Sequence, residues 1–158
     1  MVLLYRGTRD GSKANIFHSK CDNQGPTICI CKNGKDNIFG GYSSISWTSP
    51  SNGTYYKADG SFLFTLSNMY NTSPTKYPNT QNLYQAVYHI SDCGPVFGKN
   101  GSGCVLVIKD DYLNNDNSWA SIGGSYPDVL GKGNSIFSGN MNTDDFKLEE
   151  LEVFKLLN

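Results

Sequence analysis

The chain has 158 residues, of which 38% are hydrophobic, 13% aromatic and 17% charged. That composition suits one folded unit over residues 1–158, burying roughly two-thirds of its unfolded surface. Thirteen Lys and Arg against 14 Asp and Glu leave a net charge of −1, which excludes the broad positive field of a dedicated nucleic-acid or anionic-membrane binder.

No run approaches the ~20 apolar residues that cross a bilayer, and Met1-Val2-Leu3-Leu4-Tyr5 meets Arg6 too early for a secretory leader. The expectation is a soluble cytoplasmic protein, with a nuclear pool also open. Cys21, Cys29, Cys31, Cys93 and Cys104 make an odd count of five, which favours reduced thiols over a disulfide framework. Seventeen glycines and ten tyrosines, with abundant Asn and Ser, indicate many turns and a mainly β scaffold.

In chain order, the first predicted element is a helix over Ser12–Cys21, with Ser12 as its cap and Ala14, Phe17 and Cys21 on one face. Asn23 to Pro26 stop it. Thr27 to Cys31 alternates as a strand, with Ile28 and Ile30 on one face; Asn33-Gly34 then turns the chain into Ile38–Trp47, completing a hairpin. Ser61–Leu66 is predicted as a central strand covered on both faces, with Phe62, Phe64 and Leu66 opposite Leu63. Leu83–Ile90 and the apolar run Cys104–Ile108 supply two further strands, the second ending in an Asp/Asn-rich loop. The segment Phe146–Phe154 fits a final strand with an irregular start better than a helix.

Several of these segments together resemble the TLDc domain, which is shared by the oxidation-resistance proteins. The resemblance is carried by Leu3-Leu4-Tyr5-Arg6-Gly7-Thr8-Arg9-Asp10-Gly11, Phe17-His18-Ser19-Lys20-Cys21-Asp22, Gly25-Pro26-Thr27, Phe39-Gly40-Gly41-Tyr42, Ser46-Trp47, Phe62-Leu63-Phe64, Gly94-Pro95-Val96-Phe97-Gly98 and Leu151-Glu152-Val153-Phe154. Their order and spacing span nearly the whole chain. The sequence departs from the family pattern at Gly103-Cys104-Val105-Leu106, where a polar pair such as His-Asp often follows the glycine.

The resemblance implies a two-sheet antiparallel β-sandwich flanked by short helices, a role in resistance to oxidative stress, and a protein partner such as the vacuolar proton-pumping ATPase. It implies no family-wide catalytic mechanism. The glycine-rich backbone Gly98, Gly101 and Gly103, with Cys104, lies near the family's altered run and is a candidate for partner contacts, as is the acidic set Glu149, Glu150 and Glu152.

Chemistry-bearing side chains offer weaker alternatives. His18 precedes Cys21 by three residues, the spacing of a Cys/His dyad, but no third group completes it. Cys29-x-Cys31, with Cys21 and His18, lacks the paired Cys-x-x-Cys spacing of zinc sites. The run Asp110 to Asn117 lacks the glycine and closing glutamate of an EF-hand, and Gly98–Gly103 lacks a Gly-Lys-Ser/Thr ending. No catalytic residue, metal, cofactor or small-molecule substrate is therefore expected.

Two other function classes stay open. A nucleic-acid binder would use the N-terminal cations Arg6, Arg9, Lys13, Lys20, Lys32 and Lys35. A thiol-dependent antioxidant enzyme would use some of the five cysteines as thiolates.

Overall fold

The computed structural model describes residues 1–157. In chain order it runs through β1 (Val2–Arg6), the single turn α1 (Gly7–Asp10), α2 (Ala14–Cys21), β2 (Thr27–Asn33), β3 (Ile38–Ser43), β4 (Thr54–Tyr56), β5 (Phe62–Ser67) and β6 (Thr75–Pro78). A 3-10 turn (Leu83–Gln85) leads into β7 (Val87–His89), β8 (Cys93–Asn100), β9 (Gly103–Lys109), β10 (Ser118–Ala120), α3 (Ser135–Ser138), β11 (Asp145–Phe146) and β12 (Leu148–Lys155). The strands form two six-stranded sheets, ordered β1-β12-β2-β3-β5-β6 and β11-β10-β9-β8-β7-β4. All ladders between them are antiparallel, so the fold is a β-sandwich with a few short helices.

Alternation dictates the core. On β2, Cys29 and Cys31 point inward while Ile28 and Ile30 remain half-buried on the other face, as a two-residue period requires. Tyr5, Phe39, Leu63, Leu151 and Val153 from the first sheet meet Val87, Phe97, Leu106, Ile108 and Ala120 from the second in one buried cluster. Helix α2 joins it through Phe17, whose ring lies 6.0 Å from Trp47, which in turn packs edge-on to Phe97 at 5.4 Å. The strand β12 starts irregularly, with a register shift between Leu148 and Glu150. It then inserts Leu148, Leu151 and Val153 between β1 and β2.

Several local expectations are corrected. Ser12 does not cap α2: the helix begins at Ala14 with Lys13 at the cap position, which makes no side-chain bond. The Ser12 hydroxyl is drawn instead to Asp111 Oδ1 at 2.8 Å, and the orphan Ala14 N–H is satisfied by Asp110 Oδ1 at 2.7 Å. The β3 strand stops at Ser43 rather than Trp47, because the Trp47 backbone bridges to Asp22 and its indole donates to Thr27 Oγ1 at 2.9 Å. Leu83–Ile90 is a strand only from Val87, since the Gln85 and Ala86 carbonyls accept from Ser125 Oγ and Tyr126 OH at 2.9 and 2.7 Å. The β5 strand is paired on both sides, by β3 and β6, and buries Leu63 and Phe64 on its two faces as expected, but Leu66 at its end is 45% exposed rather than covered.

Candidate functional site

The glycine-rich stretch after Phe97 does not form a loose loop. Asn100 pairs directly with Gly103, so β8 and β9 make a hairpin in which only Gly101 and Ser102 are unpaired. Gly98 adopts φ 67°, and a side chain there would press within 2.7 Å of the Tyr126 ring. Only glycine meets both demands.

A second segment, Ser121 to Tyr126, is strapped across this hairpin. The Asn100 amide donates to Ser121 O at 3.2 Å, Ser121 Oγ at 3.1 Å and Ile122 O at 3.4 Å. Ser125 donates its N–H to Lys99 O at 2.9 Å, and its hydroxyl oxygen accepts the Lys99 N–H at 3.0 Å. The strap crosses Lys99 so closely that Gly124, at φ 55°, leaves no room for a Cβ against the Lys99 carbonyl.

Between the strap, the hairpin and the 3-10 turn lies an open groove of about 650 Å³, bordered by Gln81, Asn82, Gln85, Lys99, Ser125 and Asp128. Asp128 is already engaged, accepting the Gly131 and Gly133 N–H groups at 3.0 and 2.8 Å. Carboxamides, a hydroxyl, a cation and open backbone on a hydrogen-bonded scaffold make a recognition surface. The groove border includes no Cys or His that could serve as nucleophile or base.

Gly98, Gly101, Gly103 and Cys104 therefore come together along this hairpin, whereas Glu149, Glu150 and Glu152 sit on β12 in the other sheet. The acidic residues face cations and donors of their own chain. Arg6 Nε donates to Glu152 at 2.7 Å, Thr8 binds Glu150 through both its N–H and its hydroxyl, and Lys32 lies 3.4 Å from Glu149. The same pairing consumes most of the basic set: Arg9 and Lys20 face Asp10, while Lys13 faces Asp110 and Asp111. The Arg9 guanidinium holds the Asp10 carboxyl down to about 2. Lys35 alone of the six has no ion pair among the described residues. Cations neutralised in place have less to offer a phosphate backbone, so the nucleic-acid reading loses support.

The thiols are placed unfavourably for reaction. Cys21, Cys29 and Cys31 are buried in the core, Cys93 is buried, and Cys104 is half-exposed with the Tyr55 hydroxyl 3.3 Å away. Burial pushes every one of them above the usual thiol range, Cys93 to about 11. A thiol held neutral is a poor nucleophile.

His18 does not address Cys21. Its Nδ1 lies 2.8 Å from Asp22 Oδ1, and its Nε2 lies 2.9 Å from both the Ile90 and Cys93 carbonyls, so the ring pins α2 to the turn before β8. His89 packs between the rings of Tyr56 and Trp47, with centroids 4.5 and 5.2 Å away, and its Nδ1 meets Thr48 Oγ1 at 2.8 Å. Burial pulls its pKa down to about 4. Asp110 and Asp111, in the oxygen-rich run that lacks the EF-hand pattern, serve helix α2 and Ser12; no cluster of three or more His, Cys, Asp or Glu side chains suited to a metal occurs among the described residues.

The groove-forming strap was not singled out by sequence reasoning, although Gly123-Gly124 followed by Ser125-Tyr126-Pro127 is a strong turn signal. Among the described residues, no helix is long and apolar enough to cross a membrane. The family model described as TLDc domain matches residues 1–157 of the chain. No curated protein matches it.

Proposed function

Because the chain belongs to the TLDc domain family, we propose that it acts in the oxidative-stress response as a non-enzymatic interaction module that docks a protein partner. The vacuolar proton-pumping ATPase is the candidate partner, taken from the family resemblance. The observation that carries the docking reading is the strapped hairpin. It holds an open groove of about 650 Å³ in a fixed backbone frame, and outside that groove lie His18 with both ring nitrogens engaged, His89 buried and bonded through Nδ1, and the thiols with their acidity suppressed. Rigid placement of polar groups lowers the ordering cost of binding.

The test is affinity purification of the tagged chain from peroxide-treated cells, compared with a Gln81→Arg, Lys99→Glu double variant. Recovery of peripheral pump subunits by the native chain, lost at least tenfold by the variant, is the expected result. Equal recovery by the variant removes the groove from the reading, and recovery of no partner by either chain removes the docking function itself.

A further inference from the structure

The sheet face turned away from the core carries a second, separate apolar cluster. Val107 lies between Leu106 and Ile108, and Val96 beside Phe97, all of which belong to the core, so alternation sends both valines to the opposite face. Trp119 pairs with Val107, and Val107 pairs with Val96, which makes a continuous apolar row across β10, β9 and β8. Cys93, Val96 and Val107 are 6%, 1% and 5% exposed although no second sheet covers them. They are shielded by a ring of half-buried side chains, Tyr88, Ile90, Cys104 and Trp119. The ring encloses a recess of about 220 Å³.

Two charged residues, Lys109 and Asp92, border that recess near Cys93. Lys109 is the cross-strand partner of Cys93, so the two side chains share a face. Asp92, the residue before Cys93, also approaches that thiol, with its Oδ1 3.6 Å from Cys93 Sγ. Both residues border the recess, and neither has an ion pair among the described residues. A cation and an anion that border one recess near Cys93 without pairing with each other match a ligand carrying both charges as substituents of one carbon.

We propose that this recess binds a free α-amino acid with an apolar side chain. Lys109 takes its carboxylate, Asp92 takes its ammonium group, and the side chain enters between Trp119, Tyr88 and Cys104 over the Val96 and Val107 floor. Size selects the free amino acid over a longer ligand: 220 Å³ falls below the roughly 300–1,000 Å³ of pockets that hold drug-sized molecules. Paired charges select it over a simple hydrocarbon, which would gain nothing from Lys109 or Asp92. The site is distinct from the hairpin groove and stands or falls separately from it.

Titration of the full chain with L-leucine, followed by Trp119 fluorescence and by backbone amide shifts, tests the assignment. Saturable shifts confined to the β7–β8 turn, β9 and the Trp119 indole are expected. N-acetyl-L-leucine, which lacks the ammonium, and L-leucinamide, which lacks the carboxylate, are each expected to bind about tenfold or more weakly, the usual worth of one charge-assisted hydrogen bond. Lys109→Met and Asp92→Asn are expected to lose binding by a similar factor while keeping the native melting temperature. The proposal is overturned if leucine gives no saturable shift, if the blocked derivatives bind as well as leucine, or if both charge variants bind unchanged. An N-blocked peptide ending in leucine that binds as tightly as the free amino acid would replace it with a chain terminus and equally overturn the proposal.

Discussion

His89 shows how much one buried ring can weigh. Its imidazole stays neutral in the fold down to about 4, chiefly because burial disfavours the charge, whereas an unfolded chain protonates the same ring near 6.5. Between those values the unfolded state binds the extra proton, so stability is full above pH 6.5 and declines as the pH falls towards 4, by on the order of 3 kcal/mol. Urea unfolding at pH 7 and pH 4.5 measures this, and His89→Phe is expected to flatten the dependence across that window. Asn100 is the corresponding residue of the groove. Its amide serves three oxygens of the strap, so Asn100→Ala is expected to cost about 1–3 kcal/mol and to raise hydrogen exchange in residues 121–126 selectively.

At the scale of elements, α2 illustrates what a sequence does and does not disclose. The helix and its inward residues Phe17 and Cys21 follow from spacing, but its cap does not. Ser12 is the right residue type one position too early, and the working cap, Asp110, lies 96 residues away. Asp110→Ala is therefore expected to destabilise the protein by about 1 kcal/mol despite the exposure of Asp110, and adding Lys13→Ser is expected to restore most of that by supplying a local cap. Chemical denaturation of the two variants decides it. The strands β2, β3 and β5 were legible from the pattern of their apolar residues, and β9 from its continuous apolar run Cys104–Ile108. The short strands β4, β10 and β11 were not, since two or three residues carry too little pattern. The groove stayed hidden for a related reason: its pieces at 81–85, 98–103 and 121–128 are far apart in sequence and are joined by scattered side-chain and backbone hydrogen bonds that leave no periodic pattern.

For the whole molecule, the decisive and least legible fact is sheet order. The alternating pattern of Leu148 to Lys155 identifies a strand but cannot say that it lies between β1 and β2. Removing residues 147–158 would strip Leu148, Leu151 and Val153 from the core and leave β1 without the ladder it forms with β12, and the truncated chain is expected to show no cooperative thermal transition by calorimetry. Leu151→Ala, a milder intervention at the same place, is expected to cost about 2–5 kcal/mol.

That strand order also sets a timetable for synthesis. Val2 pairs with Lys155 and Leu3 with Phe154, so β1 leaves the ribosome long before β12 and lacks this ladder until about 150 further residues have been added, a wait of roughly 8 to 30 seconds at ordinary elongation rates. Throughout that interval Val2, Leu3 and Leu4 form an unpaired apolar edge able to stick to other nascent chains. In the finished sandwich the ladder to β12 pairs this edge and half-buries Leu3 and Leu4, while Val2 stays 45% exposed.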